Sequence, residues 1–295
     1  MEDSIFIIAD AGGSKTHWFL GGQKVQESIS FQSEGVNVAV NSDSQIKASI
    51  KSFLDFVNDK KLINIGDKID LFFYAAGCGN EKSVQRLEMI FKEFLPGFAP
   101  QLNFYSDLEA AALATFPNDE GICGILGTGS ASCLCSNGKI IDRVPSLGYI
   151  LGDEGSGAFM GKTLLNRLYK RDLSNKIKVL LEEWKSVELH NVIEKIYRSP
   201  YANTFLASFV RFIKLYEEEE EISDLIDACL KLFFTRNVLK YKEAQAYKLR
   251  MVGGVAHTFS ERIKTLGNKY GIVVDKIIKQ PIDELGNFYK SKFEK

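Results

Sequence analysis

The feature that most constrains the fold of this chain is a glycine turn that occurs twice. Gly13-Ser14 followed by Gly22 has the same spacing as Gly129-Ser130 followed by Gly138, 116 residues further on. In both places a short apolar run precedes the turn. A shared spacing of this kind indicates an internal structural duplication. We therefore expect two related domains within the 295 residues, which also agrees with the usual size of a domain.

The first half predicts the element order βββαβαβα. Apolar runs predict strands, and apolar residues at helical spacing predict helices. Ser42 with Gln45 and Ser106 with Glu109 offer capping boxes to two of the helices. The expected strands are 5–9, 17–20, 25–31, 69–76 and 102–105, and the expected helices lie around 46–57, around 84–94 and after residue 106.

The second half repeats this order around a helical insert of about residues 174–242. Alternating strands and helices indicate two α/β domains with ligand crevices at the sheet edges. The expected strands are 122–126, 131–135, 139–144, 249–252 and 272–274, and helices are expected at about 155–169, after residue 252 and from residue 281.

The composition excludes several classes of protein. Hydrophobic residues make up 45% of the chain, and 37 Lys+Arg balance 38 Asp+Glu, which is typical of a globular protein and argues against a general nucleic-acid binder. No apolar stretch approaches the ~20 residues of a membrane span, and the acidic start lacks the features of a secretory signal. Five cysteines and three histidines show no ligand or framework spacing. We expect a cytoplasmic protein without a membrane partner or a Cys/His metal site.

The first candidate phosphate site is Asp10-Ala11-Gly12-Gly13-Ser14-Lys15-Thr16. A strand delivers a carboxylate to a tight glycine turn, where backbone N–H groups and small hydroxyls can approach an anion. Lys15 adds positive charge, and Asp10 could hold hydrated Mg²⁺. Taken alone, a glycine hairpin with incidental polar residues explains the motif about as well.

The second candidate is Gly127-Thr128-Gly129-Ser130, at the equivalent place in the repeat. Two such turns, one per domain, can face each other across a cleft and bind a polyphosphate from both sides. A third glycine turn, Gly253-Gly254, follows the predicted strand 249–252. It could let a nucleoside lie close to the backbone, although close packing of a strand on a helix explains it nearly as well.

Two acidic positions complete the candidate set. Asp107 directly follows a strand and lies in the first turn of a helix, where the helix dipole favours the ionised carboxylate. Simple helix capping is the alternative role. The loop 148–157 places Asp153 and Glu154 among four glycines, of which Gly148 is the first. These carboxylates could accept hydrogen bonds from sugar hydroxyls, or they could mark another helix N-terminus.

One further motif is excluded. The segment Gly157-Ala158-Phe159-Met160-Gly161-Lys162-Thr163 is similar to a phosphate-binding P-loop, but it has three residues between its glycines instead of four. It also lies in a helical pattern with no strand before it.

The ordered segments DAGGSKT, SDLEAAA, GILGTGS, LGDEGSG and VGGVAH resemble the actin/hexokinase/Hsp70 superfamily of ribonuclease-H-like ATPases. More narrowly, the chain resembles the N-acetylglucosamine-kinase-like branch of the BadF/BadG/BcrA/BcrD ATPase family, over essentially its whole length. This resemblance implies two duplicated ribonuclease-H-like domains, 1–115 and 116–280, with an active-site cleft between them. It also implies that the helix 281–295 packs back onto the first domain.

The same resemblance implies roles for single residues, with ATP and Mg²⁺ as cofactors and an amino sugar as substrate. Asp107 matches the catalytic base, and Asp10 matches a residue near Mg²⁺ that binds the ion through water. The implied ATP and phosphate contacts are Gly12, Gly13, Ser14, Lys15, Thr16, Gly127, Thr128, Gly129, Gly253 and Gly254. The implied sugar contacts are Asn37, Asp107, Gly129, Gly148, Asp153 and Glu154. A homodimer is compatible with the family.

Two departures from the family pattern bear on the activity. Pro145-Ser146-Leu147-Gly148 stands where sugar kinases of the family often have Gly-Gly-Trp-Gly, which leaves the exact sugar open. The cysteine-containing segment Asn-Asp-Lys-Cys-Ala-Ala-Gly-Thr-Gly of the 2-hydroxyacyl-CoA dehydratase activators is absent, which argues against that activity.

The leading hypothesis is an ATP-dependent kinase that phosphorylates a hydroxyl (O6) of N-acetylglucosamine or a close relative such as N-acetylmuramic acid. The alternative is a nucleotide-hydrolysing conformational switch that acts on a protein partner without a sugar substrate. A sugar sensor without catalysis is a third option, against which the presence of Asp107 argues.

Overall fold

The computed structural model describes residues 4–25, 27–64, 66–95 and 99–293. Residue 26 of the predicted strand 25–31 and residues 294–295 of the predicted last helix lie outside them. The chain divides into two compact units. Unit 1 comprises Met1–Pro117, Asn137–Lys139 and Gln280–Lys295, and unit 2 comprises Asn118–Ser136 and Ile140–Lys279.

Unit 1 contains a five-stranded mixed sheet in the order β3-β2-β1-β4-β5. The strand β1 is antiparallel to β2 and parallel to β4, and β4 is parallel to β5. The strands are β1 (Ser4–Ala11), β2 (Lys15–Gly22), β3 (Ile29–Glu34), β4 (Lys68–Ala75) and β5 (Ala99–Ser106). The first three helices are α1 (Asp43–Asp59), α2 (Glu81–Phe94) and α3 (Asp107–Thr115).

The core of unit 1 follows from apolar strands that face amphipathic helices. Trp18 on β2 stacks on Phe53 of α1 with ring centroids 4.3 Å apart, and its indole N–H donates to the Ser33 hydroxyl at 2.7 Å. Both predicted capping boxes are confirmed, at the N-termini of α1 and α3. The caps satisfy N–H groups that the first helical turn leaves without intrahelical partners.

The helix α13 (Ile282–Phe293) belongs to unit 1, although it comes last in the chain. It contacts β1, β2 and α3. Tyr289 stacks on Phe72 with ring centroids 4.0 Å apart, and its hydroxyl is hydrogen-bonded to that of Tyr74 at 2.7 Å. A distant segment therefore covers the strands of unit 1.

Unit 2 repeats the strand arrangement in the order β10-β9-β6-β7-β8. The strand β6 is antiparallel to β7 and parallel to β9, and β9 is parallel to β10. The strands are β6 (Glu120–Leu126), β7 (Ser130–Ser136), β8 (Lys139–Val144), β9 (Leu249–Val252) and β10 (Val274–Ile278). The predicted duplication is confirmed, since β6, β7, β8, β9 and β10 take the places of β1, β2, β3, β4 and β5, although the helix that follows β10 belongs to unit 1.

The helices of unit 2 include the predicted insert, which runs from α6 to α10. They are α4 (Gly148–Leu151), α5 (Gly157–Lys170), α6 (Asn175–Trp184), α7 (Leu189–Tyr197), α8 (Ala202–Ala207), α9 (Val210–Leu215), α10 (Glu220–Arg236), α11 (Gly254–Thr258) and α12 (Ser260–Lys269). The P-loop-like segment lies within α5, which agrees with its exclusion as a phosphate site.

Three local predictions need correction. The third strand was expected at 25–31 but runs over Ile29–Glu34, since the Val25 N–H donates to the Gly22 carbonyl at 3.0 Å in the turn after β2. The last strand was expected at 272–274 but runs over Val274–Ile278. The Ile272 N–H donates to the Gly267 carbonyl at 2.8 Å, so Ile272 closes the end of α12 and cannot yet join the sheet. The loop 148–157 begins with the short helix α4, which no apolar periodicity indicated.

Candidate functional site

The carboxyl edge of the unit 1 sheet brings two of the predicted acidic residues together. The parallel registers pair Ala11 with Ala75 and Ala75 with Ser106. Asp10 is the penultimate residue of β1, and Asp107 directly follows β5. Both residues therefore lie at this edge of the sheet. Ligands of α/β sheets bind at this edge.

The electrostatics of this edge favour a cation. Burial raises the pKa of Asp10 to about 7, and the negative charge of Asp107 acts in the same direction. A divalent cation beside the two carboxylates would offset this repulsion. Among the described residues, no group of three or more His, Cys, Asp or Glu side chains could hold a metal ion. Mg²⁺ at phosphotransfer sites commonly keeps several waters and phosphate oxygens as ligands, so one or two carboxylates such as those at this edge suffice to hold it.

Capping of α3 is carried out by the neighbours of Asp107. The Ser106 hydroxyl accepts from the Glu109 N–H at 3.3 Å, and Glu109 Oε2 accepts from the Ser106 N–H at 2.8 Å. Asp107 is the first helical residue, and its Oδ1 accepts from the Leu108 N–H at 3.0 Å. Ser106 is therefore the N-cap, while Asp107 accepts one further N–H of the first helical turn.

The hairpin between β1 and β2 presents its glycine turn at the surface. The Gly12 N–H donates to the Lys15 carbonyl at 3.0 Å, while Gly13, Ser14 and Lys15 are exposed. Lys15 Nζ lies 3.4 Å from Gln32 Oε1. The Thr16 side chain is buried and its hydroxyl donates to a β3 carbonyl at 2.9 Å, which holds β2 to β3.

Asn37 lies beside the residue that follows β4, at the same edge of the sheet. It forms a parallel bridge with Ala76, and its Oδ1 accepts from the Ala39 N–H at 3.0 Å. Gly35 and Gly77 make this arrangement possible. A Cβ on Gly35 would lie 2.6 Å from the Gly12 carbonyl oxygen, and a Cβ on Gly77 would lie 2.6 Å from Asn37 Oδ1. Sequence reasoning did not identify these two glycines, since only the contacts reveal their role.

In unit 2 the second glycine turn connects β6 to β7 and packs on the N-terminus of α5. The Gly127 N–H donates to the Gly129 carbonyl at 3.0 Å. The Gly127 and Thr128 carbonyls accept from the Gly157 and Ala158 N–H groups at 2.9 and 3.0 Å. The turn is thus fixed by the first residues of α5.

Asp153 lies directly against this turn. Its Oδ1 accepts from the Ser130 N–H at 3.1 Å, and a Cβ on Gly129 would lie 3.0 Å from its Oδ2. Burial raises the pKa of Asp153 and Glu154 adds to this effect, while the Ser130 N–H and Lys162 oppose it. A buried carboxylate beside a phosphate-type turn is suited to binding polar groups of a ligand.

The third turn shows a clear steric requirement for glycine at one of its two positions. Gly253 has φ of 124°, and a Cβ there would lie 2.2 Å from the Leu126 carbonyl oxygen. Close packing of β9 on β6 thus explains Gly253. Gly254 is exposed at the start of α11, and a Cβ there would meet nothing within 4 Å.

The remaining candidates of unit 2 lie in the loop 148–157. Gly148 has φ of 69° at the start of α4. Glu154 forms an ion pair with Arg236, with Nη1 3.0 Å from Oε1. Arg236 is at the end of α10 and was not predicted, because a contact across 82 positions leaves no local signal. The predicted residues thus fall into one set in unit 1 and one set in unit 2.

Comparison with known proteins gives relatives along almost the whole chain. The N-acetylmuramic acid/N-acetylglucosamine kinase of Clostridium acetobutylicum is 25% identical over 266 residues, which are 85% of each chain. A structure from Porphyromonas gingivalis, described as a candidate N-acetylglucosamine kinase, is 29% identical with a TM-score of 0.87, covering 97% of this chain and 99% of that one.

A second candidate N-acetylglucosamine kinase, from Chromobacterium violaceum, is 17% identical with a TM-score of 0.74 over 95% of this chain and 96% of its own. No family model matches the chain. The fold class of two duplicated ribonuclease-H-like ATPase domains is confirmed, whereas the narrower family branch stays a prediction. Among the described residues, no helix is long and apolar enough to cross a membrane.

Proposed function

We propose that this chain is an ATP-dependent amino-sugar kinase. It transfers the γ-phosphate of ATP to a hydroxyl, O6, of N-acetylglucosamine or a close relative such as N-acetylmuramic acid. The class of the enzyme is supported by relatives over the whole length that carry amino-sugar kinase names. The acceptor sugar and its reacting hydroxyl are the finer part of the proposal.

One observation carries the proposal: Asp10, Asn37 and Asp107 meet at one sheet edge beside a glycine hairpin. This edge offers a carboxylate for hydrated Mg²⁺, an amide for a sugar and a second carboxylate for a proton. A kinase needs these three functions, whereas a nucleotide-driven switch needs no sugar contact.

In the proposed mechanism, Asp107 accepts the proton of the sugar hydroxyl as that oxygen attacks the γ-phosphorus. The bond from the γ-phosphorus to the bridging oxygen breaks, and ADP leaves. Bound Mg²⁺ would neutralise phosphate charge, and the backbone N–H groups around Gly13-Ser14 and Thr128-Gly129 would donate to phosphate oxygens. Asn37 and Asp153 would orient the sugar, with Gly253 and Gly254 near the adenosine.

The first experiment measures ADP release from MgATP across a panel of sugars. The panel holds N-acetylglucosamine, N-acetylmuramic acid, glucosamine, N-acetylmannosamine and glucose, with a blank that contains no sugar. We expect one N-acetylated sugar to stimulate release strongly, and NMR of the product to place the phosphate on O6. Hydrolysis at the blank rate with every sugar would contradict the kinase and favour the nucleotide-driven switch.

Asp107→Asn tests the catalytic base. The substitution keeps the shape of the side chain but removes the proton acceptor, so we expect kcat to fall by at least ~10² with nearly unchanged ATP affinity. The matched control is Asp59→Asn, which changes an exposed carboxylate at the end of α1 in the same unit. Normal turnover in Asp107→Asn would remove this residue from the mechanism.

A further inference from the structure

The loop that carries Asp153 begins with a segment that exposes most of its apolar side chains, apart from Tyr149. Leu147, Ile150 and Leu151, in and beside α4, are 58%, 71% and 73% exposed. The backbone has φ of 57° at Asp153, a conformation that costs energy for a residue other than glycine. A segment of this kind keeps its shape only when specific contacts from neighbouring elements fix it.

One face of α10 supplies such contacts. Cys229, Phe233 and Arg236 are spaced by four and three residues, so they share a helix face. A Cβ on Gly155 would lie 2.8 Å from Phe233 Cβ and 3.4 Å from the Cys229 carbonyl oxygen. The loop backbone therefore lies directly on this face of the helical insert.

One helical turn further along α10, the same face holds the loop through an ion pair. Arg236 Nη1 lies 3.0 Å from Glu154 Oε1, and the Glu154 side chain is only 12% exposed. Glu154 is the neighbour of Asp153 in the chain, so the position of its carboxylate constrains the backbone of Asp153. Phe233 also contacts β6, since a Cβ on Gly124 would lie 3.0 Å from its ring. The face thus supports both the strand before the second turn and the acidic loop.

We propose that Arg236 is a positioning residue for the amino sugar, because it holds Glu154 and thereby the backbone that presents Asp153. The inference rests on the proposed function for its substrate, but the anchoring of the loop does not depend on it. It also changes the expected role of Glu154 from a sugar contact to a support, since its Oε1 is bound to Arg236.

The test compares the kinetics of four variants with those of the wild type. These are Arg236→Gln, Arg236→Lys, Glu154→Gln and the double variant Arg236→Gln/Glu154→Gln. The control Arg262→Gln removes another ion pair to α10, in which Arg262 Nη1 lies 2.8 Å from Asp227 Oδ1. KM for the sugar, KM for ATP and kcat are measured for each protein.

We expect Arg236→Gln to raise KM for the sugar by at least about fivefold, with KM for ATP and kcat within about twofold of the wild type. The double variant should be no worse than Arg236→Gln alone, because the two residues act through one contact. Arg236→Lys should recover part of the loss, and Arg262→Gln should behave as the wild type. An unchanged KM for the sugar in Arg236→Gln, or additive losses in the double variant, would overturn the inference.

A second measurement separates this inference from the proposed function. Hydrogen exchange of backbone amides in residues 148–156 should accelerate in Arg236→Gln by at least about fivefold, whereas exchange in α10 stays unchanged. If the wild type shows no stimulation by any sugar, the proposed function fails and the exchange still tests the anchoring. Unchanged exchange in this loop would show that Arg236 does not hold it.

Discussion

Each unit has one carboxyl group, beside a glycine turn, whose ionised form is disfavoured by burial. Burial raises the pKa of Asp10 in unit 1 and of Asp153 in unit 2. Such carboxylates cost folding free energy when they are ionised, so stability alone does not account for them. Perturbed carboxyl groups of this kind are concentrated at functional sites.

Asp10 makes the stability of the chain depend on pH in a predictable direction. Its carboxyl titrates at about 7 in the folded state and at 3.8 when unperturbed, so between these values the folded state binds more protons than the unfolded state. Stability therefore falls as pH rises through this window. We expect Asp10→Asn to flatten this fall when melting temperature is measured in EDTA from pH 4.5 to 8.

The exposed control Asp59→Asn should keep the slope of the wild type. A slope that is the same in Asp10→Asn and the wild type would show that Asp10 is not the titrating group. Because the experiment uses no nucleotide or sugar, its outcome does not depend on the proposed activity.

At the residue scale, the sequence allowed prediction of roles with a local signal. Ser106 and Glu109 were recognised as a capping box from their spacing alone, and the place of Asp107 between a strand and a helix was predicted correctly, whereas its role stays a prediction. Gly35 and Arg236 could not be recognised. The first is required because a distant turn packs against it, and the second because it pairs with a carboxylate far away in the chain.

At the element scale, the turns after the central strands are fixed by close packing of backbone on backbone. Gly253→Ala would place a Cβ 2.2 Å from the Leu126 carbonyl oxygen at a φ of 124°. We expect this variant to lose about 3 kcal/mol or more of unfolding free energy in a urea titration, from strain and from displacement of β6.

Gly254→Ala is the matched control, because it adds the same methyl group one residue later in open space. It should leave the unfolding free energy unchanged or raise it by up to about 1 kcal/mol, since alanine restricts the unfolded chain. Equal effects of the two substitutions would contradict a steric requirement at Gly253.

The elements themselves were predicted where local patterns are strong. The central strands are continuous apolar runs, and α1 has a clear apolar stripe, so both were located from the sequence. The shift of β10 had a local cause that apolar patterning does not show, since Ile272 is apolar enough for a strand but its N–H closes the end of α12. The helix α4 is one turn long, which is too short to show a period.

At the scale of the whole molecule, unit 1 is assembled from both ends of the sequence. The duplication could be predicted because both halves repeat one turn motif at one spacing. The packing of α13 on unit 1 could not be deduced from its own residues, because an amphipathic helix does not specify the sheet that it covers. Only the family resemblance implied this packing.

Tyr289→Ala tests how much α13 stabilises unit 1. The substitution removes the ring stacked on Phe72, so we expect the free energy of unfolding of unit 1 to fall by about 3–5 kcal/mol. The chain has two tryptophans, Trp18 in unit 1 and Trp184 in unit 2. Urea unfolding followed through Trp18, in a Trp184→Phe background, should shift to lower urea.

Tyr289→Phe is the control that keeps the ring. It should lower the free energy of unfolding of unit 1 by about 1–3 kcal/mol, because the Tyr74 hydroxyl loses its buried partner. For Tyr289→Ala, the urea transition followed through Trp184, in a Trp18→Phe background, should shift less than the transition followed through Trp18. An equal shift of both transitions would mean that the chain unfolds as one cooperative block.

The late position of α13 also has a consequence for biosynthesis. The strands of unit 1 leave the ribosome first, but the helix that covers β1 and β2 follows only after all of unit 2 has been translated. At ordinary rates of translation this interval is on the order of 10 to 30 s. During that time Phe6, Phe19 and Phe72 lack the cover that α13 provides, so we expect nascent unit 1 to be recognised by chaperones that bind exposed aromatic surface.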